Sequence, residues 1–367
     1  MDSVAVRFAG ESGLIISGVI IMQREARNEF VEMLLKTYGD IIIKALLSYL
    51  PTKEPRRYLY DLLPSYPQRP GKGLRPGLCI ATCKAFGGDL RRSLNTAVAI
   101  EMLHNAFLVH DDVEDGSEYR RGFPVLNAEY GIGIAVNAGD ALMVQSMRPL
   151  MANLSILGPK LAWQIFREID YTVGLSVEGQ AMELGWVRDN SLVITEDDYL
   201  RMILKKTCWY TCANPLRIGA LIATEGSINP NRFNRLGYYM GAAFQIQDDI
   251  LNLTGDHARY GKEIGGDILE GKRTLMLIHA LQVCSEIEKE QIRLFLLTPR
   301  SQRSAIDVQW LYSMIVKYDC IDFARKSAYQ LAGAALREFY VAFGDMPESD
   351  DKRFIHDIVL YMIERSL

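Results

Sequence analysis

The stretch EMLHNAFLVHDDVED, residues 101–115, passes from a mainly apolar run into a cluster of acids. A second stretch, GAAFQIQDDILN at residues 241–252, repeats that arrangement. Acidic residues within apolar helices destabilise the folded protein unless they are compensated, because a carboxylate that leaves water needs a cation or hydrogen bonds. The pair of stretches therefore predicts two helices that share one polyanionic ligand, bridged by metal ions.

The spacing of the acids indicates which metal they would suit. Asp111 and Asp115 are four residues apart, so on a helix they share a face and lie about 6 Å apart along its axis. Asp248 and Asn252 repeat this spacing, with Asp249 beside them. Carboxylate oxygens suit Mg²⁺, which keeps several waters and completes its shell with substrate phosphates. For either stretch alone, a solvated acidic helix face is the alternative.

Basic residues, several of them beside glycines, are distributed around the two acidic stretches. They are Lys72 and Arg75 in GKGLRP, Arg120 and Arg121 in RRG, Lys206 in KKT, and Lys262 and Lys272 after the second stretch. Arginine binds phosphate through a planar fork, and lysine binds it as a point charge. We therefore expect two diphosphates, one held through Mg²⁺ and the other held directly by these cations.

Eight segments, in their order along the chain, resemble those of the trans-isoprenyl diphosphate synthases, or head-to-tail polyprenyl synthetases. They are GKGLRP, HNAFLVHDDVED, RRGFP, NAGDAL, GQAMEL, KKT, FQIQDD and GKEIGGDILEGKRT. The ordered set is specific, whereas one DDxxD pattern would be a weak signal. The resemblance implies an all-α bundle with a central cavity and a homodimer. It also implies Mg²⁺-dependent condensation of isopentenyl diphosphate with an allylic diphosphate.

The resemblance also implies roles for individual residues. It implies metal binding by Asp111, Asp115, Asp248, Asp249 and Asn252, with Asp112 in support. It implies that the allylic diphosphate is bound through three Mg²⁺ ions with help from Arg120, Lys206, Lys262 and Lys272. Isopentenyl diphosphate would be held by Lys72, Arg75, His104 and Arg121. Thr207 and Gln245 would turn oxygen dipoles toward the allylic cation, and Gln180 and Glu183 would order metal-bound water.

The second acidic stretch departs from the family's DDxxD pattern at its fifth position. Asn252 keeps an oxygen ligand but carries no charge. Asp248, Asn252 and Asp256 also have a spacing that resembles the second metal motif of class I terpene cyclases, so a cyclase remains an alternative. A cyclase would not need the isopentenyl site. A non-catalytic subunit that modulates a partner synthase is the third possibility, and the intact acids and cations argue against it.

Product length in this family depends on residues just before the first acidic motif. Phe107 lies one helical turn before Asp111, and Ala106 lies five residues before it. A phenylalanine there could form the cavity floor, while alanine leaves room beside it. The alternative is that Phe107 only packs between helices. We predict a C15 to C20 product, with C20 favoured.

Composition and segment pattern agree with one large helical protein. Of 367 residues, 49% are hydrophobic and the net charge is −4, with no basic stripe that suggests nucleic acid. The six cysteines include no CxxC, and a reducing cytoplasm is the simplest context. Residues 1–22 are an extension whose apolar part is too short to cross a bilayer. Residues 23–367 form one domain of long helices, with a kink expected at Pro215.

Overall fold

The computed structural model describes residues 5–255 and 265–364, with side chains from residue 22 onward. The α-helices of these ranges are α1 (Ala5–Tyr49), α2 (Leu74–Ala85), α3 (Leu90–Asp115), α4 (Leu126–Tyr130), α5 (Ile132–Leu157), α6 (Pro159–Arg188), α7 (Glu196–Ile203), α8 (Asn214–Ala223), α9 (Asn234–Thr254), α10 (Gly266–Glu270), α11 (Leu275–Val283), α12 (Glu286–Leu297), α13 (Ala305–Lys317), α14 (Cys320–Phe343) and α15 (Asp350–Glu364). Lys262 and Asp256 lie outside the described residues. The boundary predicted after residue 22 falls inside α1, and the domain division stays a prediction.

The fold is all-α, as the sequence predicts. The strands among the described residues are β1 (Tyr119–Arg120) and β2 (Phe123–Pro124), which form one antiparallel hairpin. In the centre, α3 packs on α5, α9 packs on α14, and α2 packs on α8. Their facing sides supply fully buried apolar residues such as Met102, Leu142 and Met240. None of the helices in the described ranges combines the length and apolar character that a membrane crossing requires.

Helix α3 begins at a polar cap and carries the first acidic stretch to its end. The Asp89 side chain accepts a hydrogen bond from the Arg91 N–H, and Gly116 ends the helix in the left-handed region at φ 62°. Asp111 to Asp115 therefore lie in the last turns, where the helix dipole disfavours negative charge. Such a placement is unfavourable unless cations from other elements compensate it.

The helical path changes before Pro215, not at it. Helix α7 starts with a capping box at Thr195 and ends at Ile203, and Leu204–Ala213 forms a wider turn of π-helix before α8 begins. Proline has no N–H for the carbonyl four residues earlier. The chain widens to the i,i+5 pattern just before it, which is a feature often found at functional sites. The predicted kink is thus a ten-residue widened segment, which we call the π segment.

Candidate active site

A cavity of about 630 Å³ lies between α2, α3, α6, the π segment and α9. Its wall contains residues of both acidic stretches and most of the predicted cations. From the predicted set these are Lys72, Arg75, His104, Phe107, Asp111, Arg120, Arg121, Lys206, Thr207, Gln245, Asp248, Asp249, Asn252 and Lys272. The fold therefore brings together residues that are as much as 200 positions apart in the sequence.

Neighbouring carboxylates of the first acidic stretch have different surroundings and different partners. Asp111 lines the cavity, with its Oδ2 2.9 Å from Arg120 Nη2 and its Oδ1 3.6 Å from Lys206 Nζ. Asp112 is fully buried, and it accepts hydrogen bonds from the Tyr66 hydroxyl at 2.6 Å and from Arg120 Nε at 2.7 Å. Asp112 thus anchors Arg120, and Arg120 in turn extends to Asp111.

Asp115 is buried and is not among the lining residues, but it pairs with Lys272, which is one of them. Its Oδ2 lies 2.7 Å from Lys272 Nζ, which is also 2.7 Å from Glu270 Oε2. Burial and the nearby charge of Asp111 raise the pKa of the Asp115 carboxyl to about 7. Lys272 lies in the turn that follows α10, so this ion pair connects that turn to the end of α3.

The second acidic stretch is held by a chain of hydrogen bonds that reaches the π segment. Asp249 accepts from the Tyr199 hydroxyl at 2.8 Å and from Gln245 Nε2 at 2.7 Å. Because a carboxylate only accepts, it fixes the Gln245 amide with Oε1 turned away, and Oε1 accepts from the Thr207 hydroxyl at 2.8 Å. Burial raises the pKa of Asp249 to about 7, while Gln245 and Tyr199 oppose that rise.

The remaining residues of the second stretch, Asp248 and Asn252, differ in their surroundings. Asp248 lies half-buried in the cavity wall. Asn252 is buried beside it, and its Oδ1 accepts a hydrogen bond from the backbone N–H of Asp267 at 3.1 Å. The side-chain oxygen of Asn252 therefore already has a protein donor, and its assignment as a metal ligand stays a prediction.

Lys206 reaches the cavity because α6 lies very close to the π segment. A Cβ added at Gly179 would lie 2.3 Å from the Lys206 backbone nitrogen, so only glycine allows this approach. The Lys206 ammonium forms an ion pair with Glu183. Burial opposes its charge, but Glu183 and Asp111 more than compensate and raise the lysine pKa. Gln180, one position after Gly179, donates to Glu114 at 2.6 Å.

A second group of cations lies around the start of α2. Arg121 and Gly122 form the two-residue turn of the β hairpin, both in the left-handed region at φ 55° and 80°. A Cβ added at Gly71 would lie 2.6 Å from Arg121 Nη1, so this guanidinium rests against the GKGLRP loop. Lys72 is exposed, with Nζ 5.1 Å from the Tyr361 ring centroid. The N-terminus of α2 adds its dipole to these positive charges.

His104 is a neutral donor in this group. Burial, followed by the charges of Arg75 and Arg121, lowers its pKa well below the usual value. Arg75 Nη1 lies 3.1 Å from His104 Nε2, and arginine can only donate, so the imidazole proton is on Nδ1. Within the described residues, His104 Nδ1 and Arg75 Nε are buried without an acceptor. Two such orphaned donors fit an anionic ligand.

Tyr210 is a site residue that the sequence reasoning missed. Its hydroxyl accepts from Arg75 Nη2 at 2.6 Å, and the Arg75 guanidinium carbon lies 4.3 Å from the ring centroid. The ring also meets Phe107 edge to face at 5.7 Å, so Tyr210 lies between the second cation group and the apolar wall. Its position three residues after Thr207, on the same helical face, is the sequence feature that could have identified it as a site residue.

The two residues proposed to set product length are placed differently. Phe107 is half-buried and lines the cavity, in agreement with a role as floor. Ala106 is fully buried in the core and is not among the lining residues. Ala106 therefore belongs to the core, and an effect of its size on product length would act through packing.

The acids fit Mg²⁺ held partly by a substrate. Asp111 and Asp248 present hard oxygen donors to one cavity, and burial followed by the nearby charge of Asp111 raises the pKa of Asp115. Within residues 5–255 and 265–364, no three His, Cys, Asp or Glu side chains form a ready-made metal cage. Mg²⁺ commonly takes one or two carboxylates and completes its shell with water and phosphate oxygens. The donor set therefore suits Mg²⁺ that arrives with a diphosphate.

Comparison with known proteins gives one consistent family. The polyprenyl synthetase pattern matches residues 56–315. Geranylgeranyl diphosphate synthase of Sulfolobus acidocaldarius is 33% identical over 300 residues, which are 81% of this chain and 86% of that protein. Geranylgeranyl pyrophosphate synthase of Geoglobus acetivorans is 29% identical over 338 residues, covering 91% and 99% of the two chains.

Solved structures agree with the sequence comparison. The crystal structure of geranylgeranyl pyrophosphate synthetase from Pyrococcus horikoshii superimposes with a TM-score of 0.79 at 28% identity. The match covers 92% of this chain and 99% of that one. Together with the cavity and its paired acidic stretches, these similarities show that the chain belongs to the polyprenyl synthetase family.

Proposed function

We propose that the protein is a prenyltransferase that condenses isopentenyl diphosphate with an allylic diphosphate, head to tail, giving a trans-prenyl diphosphate and diphosphate. The single observation that carries this proposal is the presence of two cation groups on one cavity. Arg120, Lys206 and Lys272 accompany the acids, whereas Arg75 and Arg121 lie apart from them beside His104. Two phosphate sites, only one of them beside the paired aspartates, suit two diphosphate substrates with different binding modes.

The acids and the first cation group would hold the allylic substrate. Members of the family generally use Mg²⁺, and we propose three ions for this chain, held by Asp111, Asp115, Asp248 and Asp249. When bound, Mg²⁺ supplies charge neutralisation for the diphosphate as its C–O bond breaks. Arg120 and Lys206 would donate to the same phosphate oxygens. We include Lys262 in this group by resemblance alone.

The second cation group would hold isopentenyl diphosphate. Arg75 Nε and His104 Nδ1 are buried donors with no acceptor in the part of the chain that the structure describes, and they would gain phosphate oxygens as partners. Lys72 and Arg121 would add charge from the GKGLRP loop and the hairpin turn. A cyclase needs no such second site, which favours condensation over cyclisation.

The chemistry between the two sites would depend on oriented oxygens and exclusion of water. The Thr207 hydroxyl donates to Gln245, so its lone pairs are free to face a developing allylic cation. Phe107, Leu108 and Phe244 would surround the hydrocarbon and keep out water. The isopentenyl double bond attacks C1 of the cation as the diphosphate departs. The new tertiary cation then loses a proton to that diphosphate, so no side-chain nucleophile is required.

We propose a C15 to C20 product, with C20 favoured. The half-buried Phe107 ring in the cavity wall supports a limited length. The geranylgeranyl diphosphate synthases among the relatives support the longer of the two products.

We also propose a homodimer that works in the cytoplasm. Helix α5 leaves a row of apolar side chains exposed, formed by Val136, Val144, Met147, Met151 and Leu154, which we call the α5 face. A row of exposed apolar side chains of this kind is typical of a protein interface. All six cysteines are buried and unpaired, which supports a reducing compartment.

The decisive experiment supplies purified protein with Mg²⁺ and dimethylallyl, geranyl or farnesyl diphosphate, with and without isopentenyl diphosphate. Products are identified by mass spectrometry after phosphatase treatment. We expect a linear alcohol that depends on isopentenyl diphosphate. Asp111→Asn should abolish it, whereas Asp170→Asn, an exposed acid of α6, should not. A hydrocarbon formed from the allylic diphosphate alone would instead identify a cyclase.

A further inference from the structure

Asn252, at the fifth position of the second acidic stretch, connects two elements of the site. Its Oδ1 accepts from the Asp267 N–H at 3.1 Å, and its backbone carbonyl accepts from the Gly265 N–H at 2.8 Å. The side chain is 4% exposed, and its Nδ2 lies 3.7 Å from the position that a Cβ would take at Gly266. Asn252 of α9 thus lies directly against the first residues of α10.

Helix α10 has no cap of its own at this end. Its N-cap residue is Gly265, at φ 76°, which offers no side-chain acceptor. The first N–H groups of any helix lack partners within that helix, and the side chain of the N-cap residue normally accepts from the second or third of them. Asp267 is the second residue of α10, so Asn252 supplies from another helix the acceptor that Gly265 cannot provide.

The capped helix leads directly to Lys272, the lysine that pairs with Asp115 of the first acidic stretch. The Lys272 N–H donates to the Asp267 carbonyl at 2.9 Å, which fixes the turn after α10. Lys272 Nζ then meets Asp115 Oδ2 at 2.7 Å. An unbroken series of bonds therefore runs from Asn252 through Asp267 and Lys272 to the first acidic stretch.

We propose that Asn252 is a positioning residue, which caps α10 and so sets Lys272 opposite Asp115, and that it is not a metal ligand. The proposal rests on the proposed function for its consequence in catalysis, but not for the capping itself. An amide suits this place better than a carboxylate. Both can accept the Asp267 N–H, but a carboxylate would add charge beside Asp248 and Asp249, where negative charge is already crowded.

The opposite end of α10 is held independently. Arg303 donates from Nη1 to the Leu269 carbonyl, so the C-terminal half of α10 keeps its anchor if Asn252 is changed. Loss of the Asn252 side chain should therefore loosen residues 265–267 first and displace Lys272, without unfolding the whole element.

Hydrogen–deuterium exchange on the metal-free protein tests the cap directly. In Asn252→Ala, the amides of Gly265 to Asp267 should exchange about fivefold faster, the factor that corresponds to a cap of about 1 kcal/mol. Asn252→Asp, which keeps the acceptor, should exchange like the parent. Thr254→Ala, on the same helix but bonded to the Ile250 carbonyl, is the matched control and should also be unchanged. If Asn252→Ala folds poorly, Asn252→Ser, whose oxygen is too short to reach, serves in its place.

Steady-state kinetics test the consequence. Asn252→Ala should raise KM for the allylic diphosphate several-fold. The double variant that also carries Lys272→Ala should have a KM close to that of Asn252→Ala. In Asn252→Ala, the Mg²⁺ concentration for half-maximal activity should stay within about twofold of the value for the parent protein. Unchanged exchange in Asn252→Ala, or a several-fold higher Mg²⁺ requirement, would overturn the proposal. If the parent protein showed no condensation at all, the proposed function would fail, and the exchange result would still decide the cap.

Discussion

A threonine hydroxyl that donates its proton to a fixed acceptor presents only lone pairs to the rest of its surroundings. Thr207 is in this state, because Gln245 Oε1 accepts its proton and Asp249 holds the Gln245 amide in one orientation. Tyr199 fixes Asp249 from the other side. The result is a preorganised oxygen dipole, and where bound substrate excludes water it is more effective than the same dipole in water.

Removal of that dipole should slow the chemical step. Thr207→Val keeps the shape but loses the oxygen, and we expect kcat to fall about 10- to 100-fold, or about 1.4 to 2.7 kcal/mol. Thr207→Ser should recover most of the loss. The control is Thr211→Val, in the same π segment but outside the cavity wall, where the hydroxyl has no hydrogen-bond partner among the described residues; this variant should keep kcat. Equal rates for Thr207→Val and the control would refute the role of the hydroxyl.

The Phe107 ring should limit the growing hydrocarbon. Phe107→Ala removes the edge-to-face contact with Tyr210 and enlarges the cavity, so we expect the product to lengthen by at least one isoprene unit. Product distribution is measured by mass spectrometry of the released alcohols. Phe323→Ala, a half-buried ring of α14 outside the cavity wall, should leave the distribution as it was. The floor assignment fails if Phe107→Ala gives the parent product.

At the scale of elements, helical periodicity predicted most helix positions but could not predict the π segment. Apolar spacing does not distinguish i,i+4 from i,i+5 hydrogen bonds over one or two turns. The periodicity therefore predicted only a kink at Pro215. Tyr210 was not recognised as a site residue, although it lies three residues after Thr207. The hairpin turn at Arg121 escaped notice for a similar reason, since two-residue strands show no alternation.

The close packing of α6 on the π segment should be sensitive to a single methyl group. In Gly179→Ala the new Cβ would lie 2.3 Å from the Lys206 nitrogen, so the elements must separate, at a cost of about 1–3 kcal/mol, and Lys206 moves with them. We expect lower thermal stability and a large loss of activity. Gly174→Ala, in α6 with open space around it, should be neutral or stabilise by about 0.5–1 kcal/mol. Similar melting temperatures for the two variants would contradict this account.

At the scale of the whole molecule, the order of motifs was enough to predict the fold and the identity of the two acidic stretches. It could not predict which acids face the cavity. Asp115 pairs with Lys272 and is not among the lining residues, and Asn252 accepts from the Asp267 N–H, because side-chain direction depends on partners that are distant in sequence. Motif spacing thus identifies the residues of a site, and tertiary contacts divide them between chemistry and support.

The α5 face makes a prediction about assembly. Val144 and Met151 are each 66% exposed, although α5 packs its other side on α3 in the middle of the bundle. If a second copy covers this face, glutamate at both positions should place unpaired charge in the interface and give monomers in sedimentation velocity at micromolar concentration. Val193→Glu, at a 96% exposed loop position, should leave the parent's sedimentation coefficient unchanged. If the double variant is still a dimer, the interface lies on another surface. If the parent protein is a monomer, the proposed homodimer is wrong.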